Sequence, residues 1–118
     1  MVTSDDIRAI ARELPRAYEV IVRDRVKWRV GSIVFTALSR DETVIGFGYP
    51  RDERATALAT EPDLFLPPAK SDERYQWLQA RMAVLDTDRL EELVVDAWTL
   101  CVPKFLVRDY FTRHPRFS

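Results

Sequence analysis

The sequence predicts an α+β fold of two layers, an antiparallel sheet with N- and C-terminal helices packed on one face. Three observations carry this prediction. Apolar residues recur at helical spacing near both ends of the chain, as Ile7, Ile10, Ala11 and Leu14, and again as Leu90, Leu93, Val94, Ala97 and Cys101. Between these stretches the apolar period falls to two in several short runs. Short turns such as Gly31-Ser32 join neighbouring runs directly, which makes them antiparallel. A chain of 118 residues suits one domain, and its 47% hydrophobic content argues against disorder.

The first helix is expected over Thr3 to Leu14, with Thr3 as cap, Asp5 and Asp6 at its positive end and Pro15 closing it. A single strand is expected from Tyr18 to Val30. Val20, Val22, Val26, Trp28 and Val30 would share one face, with Ile21, Arg23, Arg25, Lys27 and Arg29 on the other. Asp24 interrupts the apolar side and marks a bend.

Gly31-Ser32 fits a type II′ turn, and Ile33 to Leu38 returns with Trp28 opposite Phe35 and Lys27 opposite Thr36. Val44 to Tyr49 is the third strand, where Gly46 and Gly48 indicate a bulge or a close backbone approach. Asp52 to Thr60 reads as a short helix carrying Ala55, Leu58 and Ala59 inward. Glu61 to Glu73, with prolines at 62, 67 and 68, reads as a loop holding Phe65 and Leu66 against the core. Tyr75 to Leu85 is the last strand. Asp88 and Glu91 have capping-box spacing at the head of the final long helix. Pro103 kinks or restarts that helix, which Lys104 to His114 continues.

Several function classes are excluded or disfavoured. Eighteen basic residues face nineteen acidic ones, so the chain is no polycation, and contact with nucleic acid would need a local patch. Cys101 is the only cysteine, which rules out an intrachain disulfide and a cysteine-based zinc site. No apolar run reaches the roughly 20 residues of a membrane helix, and the first residues lack a secretory pattern. The expectation is a cytoplasmic protein. Cys101 lies on an apolar helix stripe and reads as a buried thiol. His114 is the lone histidine and has no assignable nucleophile partner. Arg8, Arg12 and Arg16 neutralise the acidic residues of the first helix, so no metal is expected. The reading is non-enzymatic, with no catalytic residues and no cofactor.

The order of the first helix, Leu14-Pro15, then Trp28-Arg29-Val30-Gly31 and Phe35, resembles the opening of the MmcQ/YjbR family. Pro62, Phe65 and Pro67 in the mid-chain loop and Trp77 after it are similar too. So is the closing segment Asp96-Ala97-Trp98 with Val102-Pro103-Lys104. The resemblance implies a domain over residues 1–104, with 105–118 as a basic and aromatic extension packing on it or fraying from it. It also implies a fold like that of the frataxin homologue CyaY, and DNA binding through a double-wing motif. The chain departs from the family at Ser32-Ile33, where a Gly-Lys pair is usual, and at Gly46 and Phe47, where a Lys is often found.

On the residues themselves, Arg23, Arg25, Lys27 and Arg29 form a cationic row suited to duplex phosphates. The same row would serve equally as a solvated face that deters edge pairing. Lys104 and Arg108 are secondary candidates, in a basic cluster with Arg113 and Arg116 interleaved with Phe105, Tyr110, Phe111 and Phe117. A different class of function would use a small-molecule or protein-binding pocket lined by Phe65, Tyr75 and Trp77. The expected partner is DNA, and the expected state is a monomer or weak homodimer.

Overall fold

The computed structural model describes residues 1–115. Helix α1, Ser4–Arg12, is capped by Thr3, whose backbone N–H donates to the Asp6 carboxylate at 2.8 Å. Ile7 and Ala11 are buried beneath it, as is Leu14 just beyond. The sheet has six antiparallel strands in the order β1-β2-β3-β4-β6-β5. They are β1 (Ala17–Val22), β2 (Arg25–Val30), β3 (Ile33–Leu38), β4 (Val44–Gly48), β5 (Phe65–Leu66) and β6 (Trp77–Arg81). Helix α2 (Arg54–Thr60) follows β4, and α3 (Thr87–Thr99) and α4 (Lys104–Arg113) close the described chain. Helix α3 packs on β3, β4 and α1, so the helices cover one face of the sheet. This is the two-layer α+β architecture expected from the periodicity.

The strand expected from Tyr18 to Val30 is two strands. The chain reverses at Arg23 and Asp24, whose φ angles of 52° and 65° form a two-residue turn of the type I′ kind. Val22 pairs with Arg25 and Val20 with Lys27, and residues paired across antiparallel strands share a face. The reversal therefore shifts the alternation by one residue. Val20 and Val22 lie beside the cations, whereas Glu19 and Ile21 lie on the helix side with Trp28 and Val26.

The next turn is the expected one, with Gly31 at φ 60° and Val30 paired to Ile33. Its strand register is not. Trp28 pairs with Thr36 and Lys27 with Ala37, because a bulge leaves Phe35 as an extra residue in β3. Phe35 is fully buried, and the buried Thr36 hydroxyl donates to Gly46 O at 2.8 Å. This bond satisfies a polar group that the core would otherwise strand.

Smaller corrections follow from tertiary pairing. Ala57 is the buried residue of α2, whereas Ala55 and Ala59 are exposed, because α2 starts after a short 3-10 turn over Arg51–Glu53. The Pro-rich stretch contains β5, which pairs with β6. The cap of α3 is Asp86, whose Oδ1 accepts from Arg89 N at 2.7 Å, and not Asp88. Pro103 separates α3 from α4, which is a restart and not a kink. Residues 105–115 pack on the domain through Tyr110, which is 3% exposed, with its ring 5.2 Å from that of Trp98. Trp98 is itself fully buried, and its Nε1 donates to Pro15 O at 2.9 Å, tying α3 to the chain just before β1.

Candidate nucleic-acid interface

The alternation set by these pairings decides what the uncovered sheet face displays. Arg25, Lys27 and Arg29 project from β2 on the side away from the helices, where Trp28 and Val30 are buried. Tyr18, Val20 and Val22 flank them on β1, and Val34 on β3. The row Lys27, Ala37, Gly46, Gln79 crosses four strands on this face. Trp77 and Arg81 belong to the same face of β6. The six strands hold one carboxylate among the described residues, Glu19, which lies on the helix side and meets Arg8 Nε at 2.9 Å. The open face thus carries four cations and no acid on its strands.

The ion pairs of the described residues involve Arg8, Arg89 and Arg113, all on helices. None involves the β2 cations. Arg25 Nε points to Leu38 O at 3.4 Å, and Arg29 Nε is buried without a hydrogen-bond partner. All three β2 cations are half-buried. Arg81 is more committed, since its Nη1 donates to Asp63 O at 3.0 Å and Pro62 O at 3.3 Å.

The predicted site residues divide accordingly. Arg25, Lys27 and Arg29 share one strand face as expected. Arg23 is not in their row; it sits exposed in the β1–β2 turn, at the tip of the same hairpin. Lys104 and Arg108 are exposed on α4, which packs on α3 in the helical layer, so the fold does not join them to the row. Arg116 and Phe117 lie outside the described residues. Arg81 was missed, although its spacing of four from Trp77 on a strand is the signal that places both on one face.

The alternative pocket does not assemble. Phe65 is 3% exposed on the helix side, with its ring 6.4 Å from those of Phe47 and Tyr49. Trp77 lies on the opposite face, because Phe65 pairs with Ala80 whereas Trp77 pairs with Gly48. Tyr75 is 53% exposed beneath the Arg74 guanidinium, which lies 4.9 Å from its ring centre. It borders an open depression of about 800 Å³ that includes neither of the other two aromatics.

Trp77 instead roofs Gly46. A Cβ at Gly46 would fall 2.7 Å from the indole Nε1, so the strand and the ring need a glycine there. Gly46→Ala is expected to lift Trp77 off the sheet and cost about 1–3 kcal/mol by overpacking. Denaturant melts would read the cost, and a red shift of tryptophan emission would read the exposure.

The groups that could support catalysis stand apart. Cys101 is half-buried, its pKa is raised by burial, and its Sγ points to Ala97 O at 3.7 Å. His114 stacks on Tyr110 with ring centres 4.4 Å apart. No group of three or more His, Cys, Asp or Glu side chains placed to hold a metal occurs among the described residues. No helix among them is long and apolar enough to cross a membrane.

Comparison with known proteins bears on the fold and the family. The crystal structure of Deinococcus radiodurans protein DR2400, with a domain described as DUF419, superposes with a TM-score of 0.73 at 17% identity. The match covers 85% of this chain and 78% of that one, and at this identity it shows a shared fold. No curated protein matches the sequence. The YjbR family model matches residues 12–100, from the end of α1 through α3, and so takes in all six strands and Trp98. Since that span is most of the chain, this protein belongs to the YjbR family.

Proposed function

We propose that this protein binds duplex DNA without catalysing a reaction, through phosphate contacts made by the helix-free face of its sheet. The observation that carries the reading is the charge segregation of the strands. Arg25, Lys27 and Arg29 project together, with Arg23 at the hairpin tip, and no strand carboxylate shares their face. Arg and Lys in such a row neutralise successive phosphates and release counterions, which makes the binding sensitive to salt and indifferent to sequence. Row spacing supports this reading, since Arg25 to Arg29 span about 13 Å at 3.3 Å per strand residue. Because the net formal charge is −1, attraction to DNA must come from this face and not from the molecule as a whole.

The test is anisotropy of a labelled random duplex titrated at increasing salt. Three to four phosphate contacts give a slope of log K against log salt of about −2.7 to −3.6, at about 0.9 per contact. No binding at low salt would overturn the proposal.

A further inference from the structure

Strand β1 is the open edge of the sheet, and its opposite edge is closed to pairing. β5 spans only Phe65–Leu66 and runs into Pro67 and Pro68, which offer no N–H. β1 has six residues, Ala17–Val22, with no proline and no bulge against β2. Its neighbours around the turn fix which backbone groups are free. In a hairpin with a two-residue turn, the flanking pair Val22 and Arg25 exchange hydrogen bonds, and so do Val20 with Lys27 and Tyr18 with Arg29. The N–H and C=O of Glu19 and Ile21 therefore point outward from the sheet. Ile21 is 70% exposed. Such an edge is usually blunted by charge or a covering segment.

The edge is also self-complementary. Around Ile21 the sequence reads Glu19, Val20, Ile21, Val22, Arg23, with an acid two residues before the centre and a base two residues after it. When two such strands run antiparallel with Ile21 opposite Ile21, Glu19 of each faces Arg23 of the other, and Val20 faces Val22. Glu19 uses Oε1 for Arg8, and its Oε2 makes no ion pair among the described residues. Arg23 starts the turn, with φ 52°, so its side chain, and not its backbone, makes the cross-axis contact. Shifting the axis to Glu19 would set the two carboxylates against each other.

We infer that two copies of this chain associate edge to edge through β1, about a two-fold axis at Ile21. The contact is isologous and consumes the one long open edge among the described residues, so assembly stops at two. It joins two six-stranded sheets into one of twelve strands. A paired edge buries less than the about 1,600 Å² of a standard stable complex, so the dimer forms in a concentration-dependent way. The two β2 rows would then lie three strand spacings apart, about 14 Å, on one continuous face. Only this last consequence rests on the reading of DNA binding.

The experiment is analytical ultracentrifugation of the full chain without DNA, over a wide concentration range. The expected weight-average mass rises from 13.8 kDa toward twice that value. Ile21→Lys, which sets like charges across the axis, is expected to weaken association by more than about tenfold. At a 70% exposed position it leaves the melting temperature of the monomer, read at dilute concentration, unchanged. Ile21→Cys in a Cys101→Ser background is expected to form an interchain disulfide on mild oxidation. A protein that is monomeric at every concentration, a dimer indifferent to Ile21→Lys, or no crosslink from Ile21→Cys would each overturn the inference. Because mass is read without nucleic acid, failure here is separate from failure of DNA binding.

Discussion

Trp98→Ala is expected to destabilise the domain by about 3–5 kcal/mol, read as the shift of the denaturant midpoint at unchanged slope. The side chain is fully buried, so its removal leaves a cavity among β-sheet and helix side chains that cannot collapse onto it. Two further losses accompany the cavity. Pro15 O loses the indole donor at 2.9 Å, which unties α3 from the start of β1. The Tyr110 ring loses its neighbour at 5.2 Å, which loosens α4. With whole-domain stabilities of about 5–15 kcal/mol, a loss of this size brings the protein near its threshold. Trp98→Phe keeps a ring against Tyr110 and loses the hydrogen bond, so it should cost distinctly less. Equal costs for the two variants would assign the effect to the hydrogen bond and not to packing.

The double variant Arg25→Glu with Lys27→Glu is expected to abolish duplex binding at physiological salt while the domain stays folded. Each reversal removes one phosphate contact, worth about 0.9 in the salt slope, and adds repulsion in its place. Both side chains are half-buried on the open face, and neither holds an ion pair among the described residues. Their reversal should therefore move stability little, as surface substitutions do. Lys104→Glu with Arg108→Glu serves as the control, because α4 lies in the helical layer. Equal losses from the two double variants would place the contact elsewhere than the β2 row. An unchanged melting temperature and circular dichroism spectrum would show that the loss is local.

Much of the fold was legible because its signals are local. The α1 stripe of Ile7, Ala11 and Leu14, the Thr3 cap, the Gly31-Ser32 turn and the restart at Pro103 depend on residues within one or two turns of chain. The hairpin at Arg23-Asp24 was not legible, because type I′ turns usually announce themselves with Asn-Gly or a second glycine. Here Arg23 and Asp24 adopt positive φ without one, held by strand pairing on both sides. The only trace was Asp24 breaking the apolar alternation. The bulge at Phe35 is similar, since the shift from Trp28 opposite Phe35 to Trp28 opposite Thr36 has no marker in β3 itself.

The candidate site shows the same division. That Arg25, Lys27 and Arg29 share a face follows from a strand period of two and needs no structure. Whether that face is covered or open depends on which side the helices pack. Whether Arg23 joins the row depends on a turn. Phe65, Tyr75 and Trp77 are near in sequence, yet Phe65 and Trp77 lie on opposite faces, since one pairs into β6 at Ala80 and the other lies on β6 opposite Gly48.

The sequence by itself determined the class of fold, the capped first helix and the cationic strand. These rest on spacing and residue chemistry, which the chain carries wherever it goes. Tertiary structure alone decided the parity across the first hairpin, the open side of the sheet, the roof of Trp77 over Gly46 and the free edge at β1. Each of these is a choice of partner or side, and period-two strands look the same in sequence whichever neighbour they pair with and whichever face they turn to the core.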